Sequence, residues 1–403
     1  MCDIVIIGGG VSGIVSAIKS FNGRNRITIL ERNDKCLKKL LLTGNGRCNY
    51  FNDDISISNY HSMREDLLDK VINSDNMSRV LDFYNELGII PKIKNGYYYP
   101  FSNQASTVRD ALMFEVMKLG ISIKYNYLVE KIERSNNKFI INDSIVCDKV
   151  IIATGSCSYP KTGSDGMGYD FLRKFGHNII KPLPALVQLN SDFKYCRELS
   201  GIRSDVILSL YEEDEFISSS VGEVQLTDYG ISGICTFNLS HFVTRGLDVG
   251  KKEVIKVNFL PFIKDNYMEW FNTYSNKHND KNIYMLLCNI LNYKLVKVIL
   301  KVCSIDNETY YNELDYNSRS LLIDNLTNFK FNIVSTKDFN FSQVCNGGVS
   351  LDEVNLSTFE SLIVDGLYIT GEVLDINGNC GGYNLICAVI SGILVGDDLS
   401  DKS

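Results

Sequence analysis

Three glycines near the start of the chain, Gly8, Gly10 and Gly13, have the G-x-G-x-x-G spacing of a turn that binds the pyrophosphate of a dinucleotide. The first glycine allows a tight turn, the second lets the backbone approach a phosphate, and the third lets the next helix pack on the strand. The apolar run "DIVII" precedes them and a helical stretch follows, so a helix amino terminus would offer its amides to the phosphate. A chance glycine-rich turn is the alternative. The second strand, in "RITILER", ends in Glu31, whose carboxylate can bind a ribose hydroxyl, and the complete strand–helix–strand unit favours a dinucleotide site.

The stretch "LLTGNGRCNY", Leu41–Tyr50, combines a permissive backbone, a positive charge and a thiol. It could form a surface turn, a thiol active site or a cradle for a phosphate-bearing cofactor. An NAD dehydrogenase usually continues from the ribose-binding acid into another strand–helix unit, whereas a basic, glycine-containing loop follows here. Amides at Gly44 and Gly46 would reach phosphate or flavin oxygens, and Arg47 would supply charge. These features favour FAD over NAD.

From Lys38 to Asn49 the sequence resembles the YhiN/BaiN-like flavoproteins, an NAD(P)/FAD-dependent oxidoreductase family whose usual motif there reads K-K-L-L-x-[ST]-G-x-G-R-C-N. The resemblance continues through "SYPKTGSDGMGY", "PLPALVQL", "VCNGGVSLDEVN" and "GEVLDINGNCGGYNL". It spans nearly the full length and is weakest in the helical segment. Two positions depart from the pattern, since Ser156 stands where glycine is usual and Asn379 where proline is common.

The resemblance implies an α/β fold in which a Rossmann-like, glutathione-reductase-like FAD-binding domain is interrupted by a β-rich domain and a small helical domain. The sequence is compatible with this order, because "SDVILSLYEEDEF", "VGEVQLTDYG" and "KEVIKVNFLPF" alternate like antiparallel strands around a turn-rich "YGISGICTF". A helical pattern follows, in which Leu322, Leu326 and Phe329 would share one face. The predicted domains are 1–185 with 341–403 for FAD, 186–262 with 326–340 for the β-rich domain, and 263–325 for the helical domain.

Two later segments are predicted to return to the cofactor. The middle of the chain predicts a hairpin around Asn136–Asn137 and then a strand that ends in "ATG", although an ordinary β-meander would look similar. The resemblance implies that Val129 offers backbone to the adenine and that Ala153–Gly155 passes the cofactor. Near the carboxyl terminus, a strand at Leu367–Thr370 ends in Gly371–Glu372.

A helix is then predicted to begin near Tyr383–Asn384, with free N–H groups near Asn384 and Leu385 aimed at the pyrimidine edge of the flavin. A buried terminal helix after a glycine-rich turn is the alternative. The residues predicted to bind the cofactor are Gly8, Gly10, Val11, Ser12, Gly13, Glu31, Arg32, Lys39, Gly44, Asn45, Gly46, Arg47, Cys48, Asn49, Val129, Ala153, Thr154, Gly155, Gly371, Glu372, Asp375, Asn384 and Leu385.

No catalytic residue is identified by the sequence, and Cys48 is a weak candidate. A reactive thiol needs a lowered pKa, which the neighbouring Arg47 could provide. A neutral thiol packed beside the cofactor is the favoured alternative. The four histidines lie outside the cofactor motifs, and the twelve scattered cysteines contain no C-x-x-C pair, so no metal site is expected.

Composition limits the partners. The formal net charge of −7 in 403 residues argues against a protein built mainly to bind nucleic acid. No apolar run reaches membrane-spanning length, and the amino terminus lacks a basic region and a cleavage site. We therefore expect a cytoplasmic protein with no nucleic-acid or membrane partner, while the sequence gives no indication of the oligomeric state.

The leading hypothesis is an FAD-dependent oxidoreductase that exchanges a hydride with a small organic substrate. The resemblance implies reduction of a conjugated C=C bond in an enone or sterol-like compound, with NAD(P)H as a transient electron donor that has no domain of its own. A flavin amine oxidase, and a flavoprotein with a binding or RNA-modification role, are the alternatives. An ordinary NAD dehydrogenase is a third possibility, and it would be colourless rather than yellow.

Overall fold

A computed structural model describes residues 2–264 and 266–401 of the chain. The chain divides into two units, Met1–Leu183 with Ser342–Ser403, and Pro184–Phe341. The first contains the predicted cofactor-binding segments. The second contains both the β-rich and the helical segments, which share one buried apolar core. Their division into two domains stays a prediction.

Both units contain strands and helices. In chain order the strands are β1 Asp3–Ile7, β2 Arg26–Leu30, β3 Phe51–Asn52, β4 Tyr60–His61, β5 Pro91–Lys94, β6 Tyr97–Pro100, β7 Ser122–Lys124, β8 Ile132–Ser135, β9 Lys138–Ile141, β10 Ile145–Cys147, β11 Lys149–Ile152, β12 Ile179–Ala185, β13 Leu189–Ser191, β14 Arg203–Glu212, β15 Glu215–Leu226, β16 Gly230–Ser232, β17 Glu253–Asn258, β18 Phe329–Thr336, β19 Val344–Val349, β20 Leu367–Ile369 and β21 Asn377–Gly378.

The α-helices are α1 Val11–Ser20, α2 Ser74–Glu86, α3 Ala105–Lys118, α4 Met167–Lys174, α5 Cys196–Leu199, α6 Ile234–Asp248, α7 Tyr267–Lys277, α8 Ile283–Cys288, α9 Tyr293–Cys303, α10 Tyr316–Thr327 and α11 Tyr383–Asp401. Short 3₁₀ turns lie between them, including Leu40–Gly46 and Gly371–Val373.

A parallel five-stranded sheet with the order β20-β11-β1-β2-β7 organises the first unit. Its central strand β1 pairs in register with β2 through Ile6 and Ile29, and with β11 through Ile6 and Ile151. These isoleucines are buried, as expected of strands covered on both faces. The carboxyl ends of parallel strands meet at one edge, so the loops after β1, β2, β11 and β20 are brought together there.

The hairpin predicted around Asn136–Asn137 is present between β8 and β9. Both asparagines have positive φ, +52° and +59°, which suits a two-residue hairpin turn that matches the twist of its strands.

A closed barrel, β13-β16-β15-β14-β17-β18, forms the β-rich part of the second unit, and α7–α10 lie between β17 and β18 in the chain. Two local expectations were wrong here. The stretch read as turn-rich leads into the fifteen-residue helix α6, which begins at Ile234. Phe329 is not on the helical face of Leu322 and Leu326, because α10 ends at Thr327 and Phe329 begins β18.

The terminal helix α11 is long and apolar enough to cross a membrane by length and composition, so the expectation that no apolar run reaches that length was wrong for it. Within its most apolar window, 61% is buried inside the protein. Cβ atoms at Gly392 and Gly396 would lie 2.8 Å from the Val15 Cβ and 2.3 Å from the Lys19 Cβ of α1. Close packing against α1 therefore explains the apolar, glycine-containing character of α11.

Candidate functional site

The turn between β1 and α1 has the geometry of a phosphate-binding loop. Gly8 has φ +107°, and a Cβ there would lie 2.3 Å from the Ala153 carbonyl oxygen. A Cβ at Gly13 would lie 2.2 Å from the Gly8 carbonyl oxygen, so helix and strand touch at this point. Gly10 differs, because no atom lies within 4 Å of its Cβ position. Of the three fingerprint glycines, two are therefore required by packing and one leaves space open.

That open space lies at the amino terminus of α1. Gly10 is the N-cap and receives no side-chain cap. The first intrahelical bond runs from the Ile14 amide to the Gly10 carbonyl at 3.0 Å, so the amides of Val11, Ser12 and Gly13 precede it. These three predicted residues present donors and the positive end of a helix dipole, an arrangement suited to a pyrophosphate.

Glu31 is fixed at the carboxyl end of β2, where it is 6% exposed. Its Oε2 accepts from the Gly9 amide at 2.8 Å, and its Oε1 accepts from the backbone and side-chain nitrogens of Asn33, both at 2.8 Å. The carboxylate is thus held beside the glycine turn, as a ribose-binding acid must be. The Tyr127 amide donates to the Glu31 carbonyl at 2.9 Å. This bond holds the segment that leads to the buried Val129 beside the carboxyl end of β2.

The side chain of Arg32 is engaged elsewhere on the protein. It forms an ion pair with Asp165 and donates to the Gly163 carbonyl at 3.3 Å. Only the backbone of Arg32 therefore remains for the predicted contact with the cofactor.

Lys39 joins three segments that are distant in sequence. Its Nζ donates to Glu372 Oε2 and to Ser158 Oγ, both at 2.6 Å. A Cβ at Gly155 would lie 3.9 Å from Glu372 Oε2. The predicted residues Lys39, Gly155 and Glu372 are thereby brought together, with Ser158 as a partner that sequence reasoning missed.

The Gly371–Glu372 turn also contacts the start of α1. Gly371 has φ +78°, and a Cβ there would lie 2.3 Å from Ser12 Oγ. Ser12 Oγ donates to the Thr370 carbonyl at 3.5 Å. The carboxyl-terminal return therefore closes on the predicted pyrophosphate turn from the other end of the chain.

The two departures from the family motif are accommodated locally. Ser156 is buried and its Oγ lies 2.9 Å from that of Ser158, so it extends the hydrogen-bonded chain that reaches Lys39. Asn379 donates its amide to the Asn59 carbonyl at 2.9 Å, a bond that proline could not make.

The loop from Gly44 to Cys48 is tightly folded. Gly44, Asn45, Gly46 and Cys48 all have positive φ, between +54° and +80°. Arg47 Nε donates to the Gly44 carbonyl at 3.2 Å, and its guanidinium lies 5.5 Å from the centre of the Tyr99 ring. The fixed charge of this loop thus faces the β5–β6 hairpin.

Cys48 is fully buried, and burial raises the pKa of its thiol to about 12, with a small opposing contribution from a hydrogen bond with Thr43. Arg47 is not among the groups that shift this pKa, so the weak candidacy of Cys48 as a reactive thiol gains no support. The thiol is neutral at neutral pH, which agrees with a packed side chain rather than a nucleophile.

The neighbouring Asn49 holds an unsatisfied polar atom. Its Oδ1 is buried and has no hydrogen-bond partner among the residues that the structure describes. A Cβ at Gly382, φ +96°, would lie 3.2 Å from this oxygen. Buried polar atoms are normally paired, so Asn49 Oδ1 is available to a bound group beside the start of α11.

The start of α11 differs in detail from the prediction. The Leu385 amide donates to the Gly382 carbonyl at 3.0 Å, so the expectation of a free amide at Leu385 was wrong. The Asn384 side chain is bonded to both backbone groups of Gly378, at 2.9 and 2.7 Å. The amides of Tyr383 and Asn384 remain as the first-turn donors of this helix, because they precede the first i to i−4 bond.

Two further predicted residues contact mainly protein. Asp375 Oδ2 accepts from Ser62 Oγ at 2.9 Å and from the Met63 amide at 2.7 Å, which anchors the segment after β4. Thr154 lies against α4, since a Cβ at Gly168 would lie 1.9 Å from Thr154 Oγ1. Thr154 therefore positions the turn after β11, and its buried Oγ1 has no hydrogen-bond partner among the residues that the structure describes.

Comparison with known proteins identifies the family of this chain. The family model described as the HI0933-like protein Rossmann domain matches residues 2–398. The chain belongs to this HI0933-like family. The resemblance to the YhiN/BaiN-like flavoproteins and the predicted Rossmann-type FAD-binding fold are thereby confirmed.

Two curated relatives match almost end to end. The chain is 36% identical over 408 residues to the 3-dehydro-bile acid delta(4,6)-reductase of Clostridium scindens, with 100% of both chains covered. It is 25% identical over 403 residues to the ribosomal RNA dihydrouridine synthase of Escherichia coli, with 98% of both covered. The relatives of this chain thus include one named for a small-molecule substrate and one named for an RNA substrate.

Two solved structures of redox enzymes have a similar fold. The open conformation of a flavocytochrome c3 fumarate reductase has a TM-score of 0.51 at 13% identity, over 99% of this chain and 78% of that one. A 3-ketosteroid delta1-dehydrogenase from Sterolibacterium denitrificans has a TM-score of 0.51 at 9% identity, over 100% of both. At these identities the likeness concerns the fold.

This HI0933-like protein is an FAD-dependent oxidoreductase, and its residues fit the cofactor. The open space at Gly10 and the first amides of α1 suit the pyrophosphate, and the carboxylate of Glu31 suits the ribose. The buried Asn49 Oδ1 can accept a hydrogen bond from a polar group of the cofactor. Sequence reasoning missed Ser158, Gly382 and the aromatic hairpin that faces Arg47. The alternation in "KIKNGYYYP" was the available signal for that hairpin.

Proposed function

We propose that this flavoenzyme reduces a conjugated C=C bond in a small organic substrate, an enone or sterol-like compound, with NAD(P)H as the electron donor. The observation that carries the proposal is the similarity to the Clostridium scindens reductase over the entire length of both chains. Similarity of that extent includes the segments that build the cofactor site as well as the second unit.

The reaction adds a hydride to one alkene carbon and a proton to the other, while NAD(P)H is oxidised to NAD(P)⁺. Bound FAD would supply the hydride-transfer chemistry. The protein's part is to hold the cofactor at Gly10–Gly13 and Glu31 and to balance charge around it. The first-turn amides of Tyr383 and Asn384 are the donors that would stabilise negative charge gained on reduction.

A second candidate is reduction of uridine in RNA. It is favoured by the similarity to the Escherichia coli dihydrouridine synthase over 98% of both chains. The C5=C6 bond of uracil is conjugated to a carbonyl, so the two candidate reactions belong to one chemical class. The formal net charge of −7 and the lower identity of 25% make it the second choice.

The test is anaerobic and uses the FAD-loaded protein. NADH and NADPH are added separately while the visible absorption of the flavin is followed, and we expect bleaching with at least one of them. Reduced protein is then mixed with an enone steroid carboxylate, a simple cyclic enone or a uridine-containing RNA, while an amine, which could only donate electrons, is added to the oxidised protein. We expect the enones to restore the flavin colour and to gain two hydrogen atoms by mass spectrometry.

Restoration by RNA alone would replace the proposal with the second candidate. Flavin that NAD(P)H does not bleach would remove the proposed donor. Reduced flavin that is reoxidised by no enone would remove the proposed substrate class.

A further inference from the structure

A cavity of about 530 Å³ in the first unit lies beside the predicted flavin loop. Its volume is within the range of small-ligand sites. Three cations, two tyrosines and two asparagines line it: Arg47, Lys92, Lys94, Tyr97, Tyr99, Asn95 and Asn103.

The β5–β6 hairpin builds this cavity through its register. Lys92 pairs with Tyr99 and Lys94 pairs with Tyr97. Because residues opposite each other in an antiparallel pair share a face, the two lysines and two tyrosines form one surface. Tyr98 lies on the other face, where its ring packs 5.3 Å from that of Phe51. The hairpin therefore presents a basic, aromatic face.

Within the part of the chain that the structure describes, the cations on this face are not paired with carboxylates. Across residues 2–264 and 266–401, none of Arg47, Lys92 and Lys94 forms an ion pair with a carboxylate. No acidic side chain lines the cavity. Three positive charges collected in one cavity of a chain with a formal net charge of −7 favour a ligand with more than one negative charge.

The cavity also adjoins two segments of the candidate flavin site, the loop Gly44–Cys48 and the glycine turn before α11. The Tyr99 ring lies 3.6 Å from the Cβ position of Gly44, and the Tyr97 ring lies 3.1 Å from that of Gly381. Arg47 belongs to the flavin loop itself. A ligand held against these tyrosines would lie next to the segments that surround the cofactor.

We propose that this cavity binds the electron donor, a pyridine dinucleotide, with its phosphates on Lys92, Lys94 and Arg47 and a planar ring against Tyr97 or Tyr99. This inference rests on the proposed function for its choice of donor. A dinucleotide combines several negative charges with flat rings that stack on aromatic side chains. A steroid carboxylate offers a single charge and an aliphatic skeleton, which matches the cavity less well. The sequence contains only one dinucleotide fingerprint, so the donor needs a site of another kind.

The test uses the double variant Lys92→Gln/Lys94→Gln in the FAD-loaded protein. Both side chains are exposed, so folding and FAD content should be unchanged. The matched control, Lys294→Gln/Lys330→Gln, removes the same charge from exposed positions of the second unit. Arg47 is left intact because it is also a predicted FAD residue.

Binding of NAD⁺ and NADP⁺ to the oxidised protein is measured by calorimetry, and the rate of flavin bleaching is measured against NAD(P)H concentration. We expect the hairpin variant to raise the dissociation constant roughly tenfold while the bleaching rate at saturation is retained. The control should bind like the wild type, and added salt should weaken wild-type binding more than that of the hairpin variant.

Equal dinucleotide binding by the hairpin variant and the wild type would overturn the inference and leave the proposed function intact. The inference would also be overturned if the hairpin variant had a raised Michaelis constant for the steroid enone, or bound RNA more weakly, while its dinucleotide binding was unchanged. Reoxidation by enones is measured on dithionite-reduced protein. If enones did not reoxidise the flavin, only the proposed enone reduction would be refuted, because the measurements of dinucleotide binding and flavin bleaching do not depend on an enone.

Discussion

Replacing Gly10 with alanine tests the phosphate-binding turn without disturbing the protein around it. Gly10 has φ −76°, which alanine adopts freely, and its Cβ position has no neighbour within 4 Å. The added methyl group therefore meets no protein atom. It meets only what binds at the amino terminus of α1.

The expected magnitudes separate binding from folding. Alanine is a poorer N-cap than glycine, which lowers the free energy of unfolding by about 0.5–1 kcal/mol. Alanine also reduces the entropy of the unfolded chain, which raises the free energy of unfolding by about 0.4–1 kcal/mol. The free energy of unfolding of the apoprotein should change by less than about 1 kcal/mol. Displacing the pyrophosphate from two amides forfeits charge-assisted hydrogen bonds of about 1.5–3 kcal/mol each. FAD affinity should thus fall by about 3–6 kcal/mol, or roughly 10²- to 10⁴-fold.

The assay removes FAD, titrates the apoprotein with FAD by flavin fluorescence, and measures thermal unfolding without the cofactor. Gly8→Ala is the contrasting variant, since φ +107° and a Cβ 2.3 Å from the Ala153 carbonyl oxygen should destabilise the apoprotein itself by about 2–5 kcal/mol. Wild-type FAD affinity in Gly10→Ala would refute the assignment of this turn. A loss of apoprotein stability as large as the loss of affinity would refute the reasoning about open space.

Three further outcomes are expected. Cys48→Ala should keep enone turnover, because the buried thiol is neutral, and a loss of about 10²-fold or more in a steady-state assay would indicate thiol chemistry. Lys39→Met should lower the thermal stability of the apoprotein by about 1–3 kcal/mol, because it strands the half-buried Glu372, and an unchanged melting temperature would contradict that. Burial and then Glu212 raise the pKa of Glu253 to about 8, so the folded chain keeps a proton that the unfolded chain releases near its ordinary pKa of about 4.5. Urea unfolding should therefore show stability falling from about pH 4.5 to about pH 8, and Glu253→Gln should flatten the fall; equal slopes would exclude this cause.

Local motifs were read correctly where the backbone requirement is itself local. The glycine turn before α1 and the Asn136–Asn137 hairpin depend on positive φ and on neighbouring residues, which the sequence displays directly. The failures occurred where packing overrides local pattern. Phe329 alternates with Phe331 and Ile333 as buried positions of a barrel strand, and the helix α6 follows residues that resemble a turn.

The sequence by itself indicated the dinucleotide turn and the candidate ribose acid, because these lie within one short strand–helix–strand unit. It determined the family through contiguous motifs such as Lys38–Asn49. Only the tertiary structure decided that Lys39 bonds to Glu372, 333 residues away, and that burial leaves the Cys48 thiol protonated. The same holds for the basic, aromatic face of the β5–β6 hairpin, whose charges and rings share one surface through cross-strand register. Contacts between distant segments, burial and register follow from how the whole unit packs, and no window of sequence contains them.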